Sequence, residues 1–292
     1  MWPVQSCSIS ALGNIVVFRL PRELLMSFVI VEKPRPHITQ ITLNRPERMN
    51  AMAFDVMVPF KEALEEVSFD NDTRVVIVTG AGQGFCAGAD LEDPGWMDIF
   101  DGLTIPGIAR RAMKVLDDVI KAIHDMHQPV IGAINGPAIG GGFCLAMATD
   151  IRLASTSAYF RPAGINNGLT SAELGLSYLL PRAIGTSRAF DIMLTGRDVS
   201  AEEAQQIGMV SKSVVPEALL NECYAVAERM VGFSQLGVEI SKQMLWAGMQ
   251  AGSLHSHMNH EGHAQLFVRM TTKNFEEAIQ ARKEGRPPEY KD

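Results

Sequence analysis

The sequence predicts an α/β fold with a helical tail, and three observations carry that prediction. Short apolar, β-branched runs at residues 74–79, 129–134 and 151–154 read as buried strands. Segments with helical periodicity separate them, as at 56–67, where Val56, Met57, Phe60, Leu64 and Val67 share one face. From about residue 174 the sequence reads as helix after helix. At 292 residues and 47% apolar content, the chain suffices for one large domain, or one domain with an appendage.

Residues 1–25 hold Trp2, Cys7 and an apolar piece at 15–20, without the basic start and cleavage site of a secretory signal. They are expected to form a loosely ordered extension. Residues 27–33 and 37–45 alternate apolar and polar positions about Pro34 and Pro36, which predicts a β-hairpin. Residues 45–52, RPERMNAM, turn into the helix of Val56 to Val67. The strand at 74–79 empties into GAGQGFCAGADL, a loop of small residues at 80–91. Residues 92–107 are polar and mixed and read as a mobile loop, followed by a helix over about 108–126. Within that loop Trp96, Met97, Ile99 and Phe100 suit either a ligand pocket or packing on the next helix.

The strand at 129–134 feeds AINGPAIGGGFCLAMATD, residues 133–150, around which the chain is organised. Asn135-Gly136 turns the chain, Gly140, Gly141 and Gly142 allow close backbone approach, and Phe143, Leu145, Ala146 and Met147 begin a buried helix. Strands at 151–154 and 158–160 follow, then helices at 174–180, stopped by Pro181, and at 187–194. Ser200 to Glu203 is a capping box opening another helix. Residues 217–233, 234–252 and 275–283 complete the helical tail. The expected organisation is an extension at 1–25, a core at 26–215 and a helical region at 216–292.

Net charge is −7 without a basic stripe, which argues against nucleic acid as a partner. No apolar run reaches the ~18 residues of a membrane span. Cys7, Cys86, Cys144 and Cys223 lack metal-ligand spacing and suggest a reducing, cytoplasmic setting. His124 and His127 belong to one predicted helix and His255, His257, His260 and His263 crowd the tail, where a surface or interface is expected.

The two glycine-rich loops carry the chemistry. Peptide N–H groups at a helix start lack intrahelical partners and sit at the positive end of the dipole. Two such loops, each after an apolar strand, can aim one N–H each at a single oxygen that gains negative charge. Taken alone, Gly-Gly-Gly fits a tight packing turn equally well.

FCAGADL together with AINGPAIGGG resembles the crotonase superfamily, the enoyl-CoA hydratase/isomerase family. The likeness spans about residues 38–212 and takes in LNRPERMNAM, VVIVTGAGQGFCAGADL, LPRAIG and LTGRDVSAEEAQQIGMVSK. It implies a crotonase (ClpP-like) α/β fold, a spiral of ββα repeats with a C-terminal helical region that builds homotrimers, often paired into hexamers. It implies an acyl-CoA thioester as substrate and no metal or redox cofactor, coenzyme A entering with the substrate. The oxyanion donors become the N–H groups of Ala89 and Gly141, each such donor being worth ~3–4 kcal/mol. Arg48 and Met49, with Ala51, Ala87, Asp90 and Leu91, are placed by resemblance at the CoA portion. A solvated arginine beside a proline turn explains Arg48 equally well, and Asp90 suits fixing its own loop.

The acid/base pair of a hydratase does not carry over. The family's two glutamates match Cys144 and Gly164 here. Gly164 has no side chain, and a buried thiol is a poor base. Cys86 and Cys144 read more simply as core filling. Glu173 stands eight residues before Pro181, where several isomerases of the family carry an acid. One carboxylate desolvated in an apolar pocket can move a proton from one carbon to another, which is a double-bond shift such as 3-enoyl-CoA to 2-enoyl-CoA. Thr170 to Glu173 also reads as a capping box, and sequence leaves both readings standing. The expectation is isomerisation of an enoyl-CoA with Glu173 as base. The alternatives are a hydratase with atypical acid/base residues and a non-catalytic acyl-CoA binder.

Overall fold

A computed structural model describes the backbone of residues 10–12 and 15–17 and all of residues 28–291. Within the expected extension, β1 (Ser10–Leu12) and β2 (Ile15–Val17) pair antiparallel. The remainder of that extension lies outside the described residues.

The hairpin forms as β3 (Val29–Arg35) and β4 (Ile38–Leu43), antiparallel and with a register shift between Glu32 and Arg35. β4 then pairs in parallel with β5 (Val75–Gly80), β5 with β6 (Val130–Ile134), β6 with β8 (Ile151–Ser155) and β8 with β11 (Lys212–Val214). The result is a six-stranded sheet in the order β11-β8-β6-β5-β4-β3. Both faces are covered, as continuous apolar strands require. Alternation along β5 sends Val76 and Val78 into one core and Val75 and Ile77 into another. The first core meets α1 (Phe54–Ser68), α2 (Ile105–Asp125) and α3 (Gly141–Ala148). The second is closed by Leu219, Cys223 and Ala227 of α8 (Leu219–Val231). α8 thus packs directly on the main sheet.

A smaller sheet, in the order β10-β9-β7, holds β7 (Ala138–Ile139), β9 (Tyr159–Arg161) and β10 (Val199–Ser200). The very short β7 and β10 are too brief to carry a readable pattern. Between them lie α4 (Ala163–Asn166), α5 (Leu176–Ile184) and α6 (Thr186–Thr195). α7 (Ala201–Gln206) starts on the predicted cap, with Ser200 Oγ accepting from Glu203 N at 3.2 Å.

Two helix ends differ from expectation. α5 runs through Pro181 to Ile184, because burial of Leu179, Leu180 and Ile184 offsets the one hydrogen bond proline removes. α2 begins at Ile105, three residues before the expected 108, with Pro106 in its first turn.

In the tail α9 (Gln235–Gln250) and α11 (Asn274–Glu284) match predicted helices. α10 (Leu254–Thr271) is not among the helices expected from the sequence: it buries no residue, and its apolar line Leu254, Met258, Leu266 and Met270 is interrupted by Gly262 and set among four histidines. A cavity of about 1340 Å³ opens between α9–α11 and the core, with Met147, Leu179, Trp246 and Met258 on its walls.

Candidate active site

The two glycine-rich loops meet. After β5 the chain passes through Phe85 and Cys86, whose N–H groups both donate to Pro137 O at 3.1 Å, while Ile139 N returns a bond to Cys86 O at 3.0 Å. The loop at 80–84 is clamped by two asparagines. Asn135 Oδ1 accepts from Gly80 N at 3.1 Å and its Nδ2 donates to Gly82 O and Gly84 O. Asn50, fully buried and at φ 55°, donates to Ala81 O and Gly84 O and accepts from Arg45 N. Both asparagines were missed as site residues; the available signal was an Asn inside a turn, where αL backbone is tolerated.

Gly140, Gly141 and Gly142 are needed for three separate reasons. Gly140 sits at φ 51°. A Cβ on Gly141 would lie 2.2 Å from Met52 Sδ, and one on Gly142 would lie 2.0 Å from Cys86 O. At Gly142 only hydrogen fits against that backbone carbonyl, whereas at Gly141 a methyl would require the Met52 side chain to move.

The predicted donors come together. A Cβ on Gly88 would lie 3.3 Å from Gly141 N, which places the 88–89 turn beside the start of α3. Met52 N donates to Gly88 O at 2.7 Å and Asp90 N to Met52 O at 3.3 Å, so the peptide of Ala89 is held on both sides. Among the described residues, neither Ala89 N nor Gly141 N donates to another backbone group. Gly141 is the first residue of α3, so its N–H is one of the helix's unpartnered donors.

Glu173 is brought to the same place. A Cβ on Gly140 would lie 3.7 Å from Glu173 Oε1. Glu173 is half-buried, and burial raises its carboxyl above the usual range. The capping box does not form. Thr170 Oγ1 accepts from Ala172 N at 3.0 Å instead, and α5 starts only at Leu176, with Gly175 as its N-cap. Leu174 at φ 45° and Gly175 at φ 82° turn the chain before the helix, which leaves Glu173 outside it.

The other two acid/base positions are closed. Cys144 Sγ lies 3.3 Å from Gly140 O and 3.5 Å from Glu173 O, and burial first, then the Glu173 charge and Cys86, push its thiol well above the usual range. Burial likewise pushes Cys86 up to about 12. Gly164 is buried, and a Cβ there would fall 2.1 Å from Thr170 O. No carboxylate side chain fits at Gly164 while that backbone is in place.

The residues expected at the CoA portion divide. Arg48 grips Asp90, with Nη2 at 2.5 Å from Oδ1 and Nε at 3.2 Å from Oδ2, and also pairs with Glu92. Asp90 Oδ1 accepts from Glu92 N and Asp93 N as well, so it does fix its own loop. Burial raises the Asp90 carboxyl, but the Arg48 and backbone hydrogen bonds and the Arg48 charge outweigh it and hold it below the usual range. Met49 and Leu91 are exposed at the rim and Ala51 is buried, while Ala87 N donates to Met49 O at 3.0 Å. In the following loop Phe100 packs edge-on against Phe54, with centroids 5.1 Å apart, and against Trp96 at 5.5 Å. That aromatic group therefore seats on the start of α1. Among the described residues no three His, Cys, Asp or Glu side chains cluster to hold a metal ion. No described helix is long and apolar enough to cross a membrane.

The enoyl-CoA hydratase/isomerase family matches residues 35–292. A probable enoyl-CoA hydratase of Mycobacterium tuberculosis is 64% identical over 267 residues, which is 91% of this chain and 94% of that one. Among solved structures, a probable enoyl-CoA hydratase/isomerase from Mycobacterium abscessus aligns at TM-score 0.87 with 63% identity, covering 91% of this chain and 99% of that chain. A structure described as a monofunctional enoyl-CoA isomerase from Mycobacterium smegmatis aligns at TM-score 0.68 with 54% identity, covering 80% of this chain and 98% of its own. With paired glycine loops on a crotonase fold, this chain belongs to the enoyl-CoA hydratase/isomerase family of the crotonase superfamily. It is an enzyme of that family.

Proposed function

We propose that this enzyme shifts the double bond of an enoyl-CoA thioester, with Glu173 as the proton-transfer base. The thioester oxygen sits between the N–H groups of Ala89 and Gly141, which hold its charge as the enolate forms. Glu173 takes a proton from one carbon of the acyl chain and returns it to another. A bond to hydrogen breaks, the π electrons move by one position, and a bond to hydrogen forms, so no water, metal or redox group enters the balance. Coenzyme A arrives as part of the substrate and lies along the rim of Arg48, Met49, Ala51, Ala87, Asp90 and Leu91.

One observation carries this reading. The carboxylate of Glu173 lies against Gly140, beside the donor pair, while Asp90 is taken up by Arg48 and its own loop, Gly164 is sealed by Thr170 O and Cys144 is held as a neutral thiol. The isomerase description of the Mycobacterium smegmatis relative supports it. Hydration is the second reading, favoured by the name of the Mycobacterium tuberculosis relative. Two assays on one sample separate them: loss of enoyl-thioester absorbance from crotonyl-CoA, and its gain from 3-hexenoyl-CoA. Gain without loss is expected. Hydration near ~10 per second overturns the single-base argument. The tail's exposed apolar residues, among them Leu254 and Met270, support self-association as a homotrimer or hexamer, which sedimentation would test.

A further inference from the structure

Glu173 owes its place to a strap, residues 167–174, that joins α4 to α5. The residue before the strap, Asn166 of α4, and Ser171 within it are both tied to the C-terminal end of α6. Asn166 Nδ2 donates to Gly196 O at 2.9 Å, and Ser171 Oγ donates to Met193 O at 2.7 Å. The last carbonyls of a helix lack intrahelical partners, so the end of α6 offers acceptors. Between the anchors the strap lies on Gly164, with Leu169 N donating to Gly164 O at 2.9 Å and Thr170 O filling the space of a side chain. Past Ser171 the chain turns at Leu174, which is buried and reaches within 3.4 Å of the place a Cβ on Gly141 would take.

We propose that Ser171 is a positioning residue for the reaction, its buried hydroxyl holding the strap to α6 so that Glu173 stays over Gly140. The proposal rests on the reading of Glu173 as base. Ser171 itself faces Met193 O and acts only through the strap. Asn166 serves the same end from the surface, with a weaker hold. A displaced strap moves the carboxylate relative to the substrate carbon, and misplacement by about 1 Å costs on the order of a hundredfold in rate. It also admits water to Glu173. Burial is the resolved cause of the raised Glu173 carboxyl, and the titratable group facing it is Cys144 of α3.

The test compares Ser171→Ala and Asn166→Ala with the parent enzyme on 3-hexenoyl-CoA across pH. Ser171→Ala is expected to lower kcat by about tenfold to a hundredfold with KM nearly unchanged, and to move the acid limb of kcat/KM to lower pH. Asn166→Ala is expected to do both to a smaller extent, and its exposed position lets it fold whatever the fate of Ser171→Ala. An unchanged kcat, or a fall in kcat with the acid limb unmoved, overturns the proposal. Glu173→Gln run alongside distinguishes the two levels. Full activity in Glu173→Gln removes the base itself, whereas an inactive Glu173→Gln beside a fully active Ser171→Ala removes the strap alone.

Discussion

Helices α3 and α10 are built on opposite terms. All eight residues of α3 are buried, and the helix carries the glycine loop at its start. α10 has eighteen residues and buries none, with Leu254, Met258, Leu266, Phe267 and Met270 exposed. α3 is enclosed by its own chain, with Met52, Leu174, Phe160 and the backbone carbonyl of Cys86 against it. α10 turns Met258, Ala264 and Val268 toward a cavity of about 1340 Å³ on its inner side, and Leu254, Leu266, Phe267 and Met270 are not on that cavity's walls. The difference teaches where the glycine loops are held: on the element whose surroundings leave no freedom, away from the element whose apolar side chains stay exposed.

The largest effect is expected at the catalytic end of that contrast. Glu173→Gln should lower turnover by about 10²–10⁴-fold and leave CoA-ester affinity, read by calorimetry, unchanged. The sign of its pH dependence follows from burial. A raised carboxyl pKa means the parent's rate falls as pH drops through a value above the usual 4.5. The same shift means the protonated form favours folding at low pH, and that contribution is lost as pH rises through the folded pKa. Glu173→Gln should therefore melt at or above the parent temperature at pH 8 and show no such advantage at pH 4. A lower melting temperature at pH 8 would count against a desolvated carboxylate.

Next comes the tie between the two regions. Lys242 of α9 is buried, 2.9 Å from Asp150 Oδ2 and 3.0 Å from Gln128 O, while Trp246 Nε1 donates to Asp150 Oδ1. Burial lowers the Lys242 pKa, and the Asp150 carboxylate opposes that shift. Lys242→Met should cost about 3 kcal/mol of stability by leaving the partly buried Asp150 without its cation, measured by urea denaturation. A loss below about 0.5 kcal/mol, the range of ordinary surface changes, would mean that the tail is held elsewhere.

Gly142→Ala sharpens the claim about α3. Its new methyl would fall 2.0 Å from Cys86 O, a backbone atom with little room to yield. A cost of about 1–3 kcal/mol is expected, with turnover lost through a displaced Gly141 N–H. A variant that keeps full activity would show that the loop junction is softer than its contacts imply.

The smallest effect on the single chain belongs to α10. Leu254→Lys and Met270→Lys should change its stability by less than about 0.5 kcal/mol, since both positions are exposed. Their sedimentation should shift toward lower mass if α10 is where copies meet. A melting temperature lowered by several degrees at every protein concentration would show instead that α10 packs on its own core.

Much of the fold was legible because its signals are local. Alternating Val and Ile in β5, the single face of α1 and the cap at Ser200 each arise from a few neighbouring residues. α10 was harder to read because Gly262 and four histidines interrupt its line of apolar residues.

What the sequence by itself determined is the pair of glycine loops, the absence of the usual glutamates and the helical tail. Those are statements about which atoms exist, and no fold can add a carboxylate to Gly164. Only the tertiary structure decided where Glu173 stands. Thr170 and Glu173 have the spacing of a capping box, yet Leu174 and Gly175 turn the chain and α5 starts beyond them. The turn is held by contacts far away in sequence, from Ser171 to Met193 and from Leu174 to Gly141. A cap is a competition between a local hydrogen bond and long-range packing, and here packing prevailed because it buries Leu174, Leu176 and Leu180 together.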